Sequence, residues 1–367
     1  MRIAVDARPL AHPTAGIGRY TESLLCKLIP QGGKWFLYSD IPLLKDYSHL
    51  GDVVVRLPDE TIFPGALRVQ KGFARLAKED SVDVFWSPRH HLPVFLPRNI
   101  KKLVTIHDLV WVRYPRSMKR LGWLVELLLM PISLLLADKV ITVSEFTADE
   151  IKKVFRISHS KIKAIPLAAY EHAQDDQGDG VLSPDVTKKD YFLFVGTPEP
   201  RKNLRRLLMA FRDLLGEVNG TPLLYIVGGH GWGGEETSEL IQELDLGQNV
   251  VLLGHISDPA LQQVYECAIA LVMPSLYEGF GLPILEAMGH GIPVITGNCS
   301  AMPEVAGDGA LLVNPVSVAE IKMAMRQLYV DVDSRNELGQ KARKQAEKFS
   351  WQLTADKTLA VIERLAR

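Results

Sequence analysis

The chain has 367 residues, enough for two domains of ordinary size, and 47% apolar against 23% charged residues is a globular composition. Forty-two basic and forty-three acidic side chains leave a formal charge of −1, which gives no electrostatic case for nucleic acid as a partner. Three widely spaced cysteines, Cys26, Cys267 and Cys299, suggest neither a disulfide framework nor a zinc cluster and fit a reducing cytosol.

The N-terminus carries no secretion signal and runs directly into a strand pattern, Arg2–Asp6. Further strands are expected at Trp35–Tyr38, Val53–Leu57, Val82–Trp86, Lys102–Ile106 and Lys139–Val143. Helices are expected at Gly18–Leu28, Gly65–Glu79, Leu121–Ala137 and Thr147–Phe155. The second half predicts strands at Tyr191–Val195, Leu223–Val227, Val250–Leu253, Ala268–Met273 and Pro293–Thr296. Its helices are Leu204–Leu215, Glu235–Leu244, Pro259–Glu266, Pro283–Gly289 and Val318–Leu328. Alternating strands and helices mean parallel sheets covered on both faces, and about twelve strands exceed one sheet. The polar, acidic, glycine-containing stretch 171–190 reads as a linker. The expected organisation is an α/β fold of two doubly wound, Rossmann-like domains facing across a cleft. They occupy 1–170 and 191–350, with ligands at the carboxyl ends of the strands.

The Leu121–Ala137 stretch is near the lower limit for crossing a bilayer, and Glu126 and Pro131 weaken that reading, so a buried or interface helix is the better one. Arg113, Arg116, Lys119 and Arg120 precede it. Basic residues beside an apolar helix suit peripheral contact with an anionic membrane; a solvated basic edge on a core helix is the plainer reading.

The richest chemistry lies in Tyr277-Glu278-Gly279-Phe280-Gly281-Leu282-Pro283-Ile284-Leu285-Glu286-Ala287. A buried strand, a glycine loop and a helix start with Pro283 at its first position make an anion site of free N–H groups at a positive dipole end. Glu278 and Glu286, the latter expected in the first helical turn, would repel phosphate and are better suited to hydroxyl groups. The implied ligand is part phosphate and part sugar. After strand Tyr191–Val195 comes Gly196-Thr197-Pro198-Glu199-Pro200-Arg201-Lys202-Asn203, where Arg201 and Lys202 form a diphosphate clamp expected to dominate phosphate affinity. Gly16 and Gly18 open the first helix, and His107-Asp108 closes strand Lys102–Ile106. Asp108 either orients His107 or caps the next segment. Asp331 and Asp333 read as solvated surface, and no cluster has metal-ligand spacing.

Together these motifs resemble the metal-independent, retaining glycosyltransferases of the GT-B fold, the group 1 or family 4 type. The resemblance covers nearly the whole chain and is strongest from Tyr191 to Leu312, where Glu278 and Glu286 match the family's E-x7-E motif. It implies no cofactor and no metal, a GDP- or UDP-linked sugar as co-substrate, and a saccharide or lipid-linked acceptor. It also implies a cytoplasmic location, up to the inner face of the membrane. Arg201 and Lys202 would bind the diphosphate, and Glu286 the ribose. Glu278 with Gly279, Phe280, Gly281 and Leu282 would contact donor sugar and phosphate. His107 would face the transferring sugar, Gly16 and Gly18 would lie by the donor phosphates, and the last helix, within 351–367, would pack back on the first domain. Some members carry an arginine near Thr197; its absence here puts more weight on Arg201. The Gly196–Asn203 stretch looks most like bacterial mannosyltransferases using GDP-mannose in cell-surface polysaccharide synthesis. UDP-sugar transfer or nucleotide-sugar epimerisation on the same fold is the alternative, and a non-enzymatic nucleotide-sugar sensor is a third reading.

Overall fold

The computed structural model describes residues 1–12, 16–59, 68–169, 191–229 and 234–367. The expected linker 171–190 lies outside the described residues, as do residues 65–67 of the expected Gly65–Glu79 helix and His230–Gly233.

Two units each carry one parallel sheet. The first comprises Met1–Leu167 with Ser350–Arg367, the second Ala168–Phe349. In the first unit the strands are β1 (Arg2–Asp6), β2 (Lys34–Tyr38), β3 (Val53–Arg56), β4 (Val84–Ser87), β5 (Lys101–Ile106), β6 (Lys139–Thr142) and β7 (Ile162–Ala164). They lie in the order β3-β2-β1-β4-β5-β6-β7. In the second, β8 (Tyr191–Val195), β9 (Leu223–Val227), β10 (Val250–Gly254), β11 (Ala270–Met273), β12 (Val294–Gly297) and β13 (Ala310–Val313) follow the order β10-β9-β8-β11-β12-β13. The first six strands of each unit follow the same order: the chain winds outward from the first strand, then reverses. That leaves a switch point between β1 and β4, and between β8 and β11. The central strands read as continuous apolar runs because both faces are covered; every residue of β4, β8 and β11 is buried.

Around the first sheet pack α1 (Gly16–Leu28), α2 (Phe73–Glu79), the short α3 (Val110–Arg113), α4 (Arg120–Leu136) and α5 (Glu145–Phe155). Around the second pack α6 (Leu204–Leu215), α7 (Gly234–Glu243), α8 (Asp258–Cys267), α9 (Leu282–Gly289), α10 (Met302–Ala306), α11 (Val318–Val330) and α12 (Val332–Ala346). The final helix, α13 (Trp351–Ala366), belongs to the first unit: Trp351 lies 6.3 Å from the Tyr20 ring, and Thr354 donates to Pro166 O (2.8 Å).

Four elements depart from their sequence patterns. β7 and β13 were not expected, being short outermost strands whose side chains are only partly buried. α12 was not expected either, because its apolar face is reduced to Leu338 and Ala342; Asp331, read as solvated surface, caps it by accepting the Ser334 N–H (2.9 Å). α4 runs through Pro131 instead of breaking there. It is not a fully buried helix: Met130, Ser133 and Leu134 face the core, while Leu121, Leu124, Val125, Leu128, Ile132, Leu135 and Leu136 are exposed.

α12 approaches the loop before β12 so closely that a Cβ on Gly339 would lie 2.5 Å from Gly291 O. Helix propensity alone favours Gly339→Ala by about 1 kcal/mol, but overpacking costs about 1–3 kcal/mol. Gly339→Ala is therefore expected to lower the urea midpoint; a midpoint at or above the parent's would show that the helix shifts freely.

Candidate functional site

The carboxyl ends of β8 and β11 meet at the second switch point. β8 leads through Gly196 into a 3-10 turn, Pro200–Lys202, and Asn203 then sits at φ +62° before α6. The Asn203 amide holds this turn against the β11 exit, donating to Pro274 O (2.9 Å) and Pro315 O (2.6 Å). Leu276 N–H donates to Arg201 O (2.7 Å). The two loops are thus tied by their backbones before any charge is considered.

Glu278 is 6% exposed, and both carboxylate oxygens are engaged: Lys202 Nζ donates to Oε1 (2.7 Å) and Arg201 Nη1 to Oε2 (2.9 Å). Burial pushes the Glu278 carboxyl up, but Lys202 and Arg201 outweigh it and bring it down to about 2. Arg201 Nε also donates to Glu199 (2.8 Å), and Nη1 to Tyr277 O (3.2 Å). The Lys202 ammonium lies over Gly196, within 3.8 Å of where a Cβ would stand.

The structure adds ion pairing that the sequence did not display. Glu278, expected to meet hydroxyl groups, is here the counter-ion of both cations. The cations are not a free clamp, since two positive charges, Arg201 and Lys202, face two carboxylates, Glu199 and Glu278, and the formal charges cancel.

Beside these ion pairs lies a run of backbone N–H groups. Gly281, at φ +102°, caps α9; Leu282 is its first residue and Pro283 its second, one place later than expected. Ile284 N–H donates to Gly281 O (2.9 Å). Among the described residues the N–H groups of Phe280, Gly281 and Leu282 have no hydrogen-bond partner, although Phe280 and Gly281 are buried. Buried N–H groups are rarely orphaned, so two of them followed by a third, half-buried one at a helix start mark a place suited to an acceptor. Glu278 N–H, by contrast, donates to Ser300 Oγ (3.0 Å), and Ser300 sits at φ +53°.

Glu286 lies in the second turn of α9, not the first, and is nearly buried. The Tyr265 hydroxyl from α8 donates to its Oε2 (2.8 Å), and the Tyr265 ring stacks on His290 at 5.5 Å. The carboxylate is therefore oriented from one side.

His107 belongs to the first unit, directly after β5. Its Nε2 donates to Pro88 O (2.8 Å), which leaves Nδ1 as the acceptor nitrogen. Burial, with His90 adding, lowers its basicity to about 4, so it is neutral at pH 7. Asp108 caps: its Oδ1 accepts the Val110 N–H (3.0 Å). Gly16 is the exposed first residue of α1, and Gly18 is buried within it; Ala15 lies outside the described residues. Among the described residues no group of three or more His, Cys, Asp or Glu could hold a metal ion.

Residues 14–168 match the family described as Glycosyltransferase Family 4, and 183–345 match Glycosyl transferases group 1. The chain is 30% identical to O-antigen chain mannosyltransferase B of Escherichia coli, over 98% of both chains. It belongs to the group 1/family 4 glycosyltransferases. This glycosyltransferase is also 32% identical to O-antigen chain mannosyltransferase RfbU of Salmonella typhimurium, over 61% of this chain and 59% of that one. Among solved structures it resembles sucrose-phosphate synthase from Thermosynechococcus elongatus (TM-score 0.78, 21% identity, 99% and 98% covered). It likewise resembles Anabaena Alr3699/HepE in complex with UDP and glucose (TM-score 0.74, 17% identity, 99% and 100% covered). These structural likenesses establish the GT-B fold of this transferase.

Sequence reading missed Ser300, Tyr265, His90 and Glu126. Ser300 follows the small-residue run Gly297-Asn298-Cys299, and its exposed-loop composition is the one available signal.

Removing the Glu278 charge leaves two buried cations short of a partner, so Glu278→Gln is expected to destabilise by about 3 kcal/mol at pH 7. Because the folded-state Glu278 is depressed to about 2, its contribution is complete above the unfolded value near 4.5 and is lost as pH falls toward about 2. Urea denaturation should show the variant–parent gap closing over that window; a pH-independent gap would sink the ion-pair account.

Proposed function

We propose that this glycosyltransferase moves a hexose, mannose from GDP-mannose, onto a saccharide or lipid-linked acceptor with retention at the anomeric carbon. The observation that carries the reading is the run of unpartnered N–H groups at Phe280–Leu282 beside the Arg201–Lys202–Glu278 cluster. Donors aimed at a helix start meet the charge that develops on a leaving diphosphate, and no metal or other cofactor need be invoked for that step. Arg201 and Lys202 turn part of their hydrogen bonding from Glu278 to phosphate oxygens. Glu286, already oriented by Tyr265, accepts from ribose hydroxyls. Neutral His107 accepts from a sugar hydroxyl through Nδ1, since its Nε2–H is occupied. The names of the O-antigen mannosyltransferases support the mannosyl assignment and a role in cell-surface polysaccharide synthesis. The UDP and glucose of the Anabaena structure favour a UDP-sugar as the second reading.

Replacing both cations would strand Glu278, so single variants are the better test. Arg201→Gln and Lys202→Gln are each expected to weaken GDP binding by about ten- to a hundredfold, the equivalent of one charge-assisted hydrogen bond. Isothermal titration calorimetry with GDP and with UDP reads this directly. Tighter binding of UDP would replace the GDP assignment, and unchanged affinity in both variants would overturn the phosphate role of the cations.

The outer side of α4 is the proposed contact with an anionic membrane at the cytoplasmic face. Leu121 is 74% exposed and Leu135 77%, and exposed Arg116, Lys119 and Arg120 stand at the start of the helix. Among the described residues no helix is long and apolar enough to cross a membrane. Flotation with phosphatidylglycerol vesicles should carry the protein upward, and Leu121→Glu with Leu128→Glu should abolish this. Flotation that ignores both substitutions would refute the surface.

A further inference from the structure

The inner side of α4 carries Glu126, whose Oε2 lies 3.3 Å from His90 Nδ1 and 3.1 Å from His91 Nε2. His90 reaches onward: its Nε2 accepts the backbone N–H of His107 (3.1 Å), and the two rings lie 5.7 Å apart. A nitrogen that accepts carries no proton, so neutral His90 holds its proton on Nδ1, facing Glu126. The loop bearing His90 is itself pinned, with the Ser87 hydroxyl within hydrogen-bond distance of Arg89 O (2.9 Å) and His91 O (2.7 Å). Three segments remote in sequence, the β4 exit, the β5 exit and α4, thus converge on the one histidine assigned to the transferring sugar.

We propose that Glu126 and His90 are positioning residues for His107: Glu126 selects the His90 tautomer, and His90 anchors the backbone that aims the His107 ring. The catalytic part of this rests on the transferase reading. A carboxylate behind an imidazole that fixes its tautomer is a recurrent device where ring orientation matters. The link is also proton-sensitive, because a doubly protonated His90 cannot accept the His107 N–H. Burial disfavours that protonation, but the hydrogen bond and charge of Glu126 outweigh it, with Asp108 adding and Arg89 opposing, so His90 is more basic than an ordinary histidine. Glu126 is held ionised well below the usual carboxylate range: burial opposes, and His90 and His91 prevail. Tyr20 from α1, edge-on to His107 at 4.8 Å, is kept protonated by burial. Acid therefore opens the His90–His107 link while His107 itself is still neutral.

The test is nitrogen-15 NMR of the histidine side chains in the full chain, alongside kinetics across pH, for the parent, Glu126→Gln and Glu126→Leu. His90 is expected as the Nδ1–H tautomer, titrating at higher pH than His107. Glu126→Gln should lower the His90 midpoint and move the acid limb of kcat to lower pH. Glu126→Leu should lose the tautomer preference, shift the His107 amide and lower kcat by about ten- to a hundredfold, as expected for a misplaced group. GDP affinity should be unchanged in both, and kcat in the Gln variant should exceed that in the Leu variant. A His90 in the Nε2–H form, or a midpoint that Glu126→Gln does not move, would overturn the proposal. The NMR arm needs no turnover, so an inactive chain with the expected tautomers would remove the transferase reading and leave the pair standing.

Discussion

The second unit is organised around one buried carboxylate. Glu278 lies between Lys202 and Arg201, and that contact joins the β8 exit to the β11 exit at the point where the sheet reverses its winding. Bringing these charges out of water is unfavourable unless each finds a partner, so the three side chains stand or fall together. Backbone contacts tie the same two loops. Arg201 is held against Tyr277 O and Leu276 N–H lies on Arg201 O, and further along the same loop the Phe280–Leu282 N–H groups have no partner among the described residues. Gly281, at φ +102°, permits the turn into α9, a conformation that a side chain would strain.

The first unit repeats the winding order with different chemistry at its strand ends. At its switch point Asp6 is fully buried and gripped by two hydrogen bonds from the Arg8 side chain, at 2.8 and 2.6 Å. One strand further on, His107 is deprived of charge by burial and by His90. One unit thus offers N–H groups and matched ions, and the other a neutral hydrogen-bonding ring. Phosphates gain much from full charges and hydroxyls gain little, so the strand ends of the two units differ in the groups each could bind.

Much of this was legible in the chain. Strand positions in both units follow from apolar runs bounded by glycine, proline and charge, and most ends agree within two residues. The E-x7-E segment, the Arg201–Lys202 pair and His107 stood out because their residue types are unusual directly after buried strands. The misses have physical causes. α12 shows almost no apolar stripe, and β7 and β13 are short outer strands, so periodicity has little to register. Glu126 looked like a flaw in an apolar helix, because its partners His90 and His91 lie some 35 residues away and no local pattern connects them.

The sequence by itself determined the class of fold, the family and the segments that carry chemistry, because strand–helix alternation and glycine-loop spacing are local properties of a chain. Which charge meets which was decided only by tertiary structure. Glu278 and the cations are separated by more than seventy residues, and only the β8–β11 pairing brings them within hydrogen-bond distance. The same holds for the proton on His107: its neutral state and its Nε2–H tautomer come from burial and from Pro88 O, neither of which a sequence displays. Charge and protonation depend on distance and solvent exclusion, which exist only once the chain has folded.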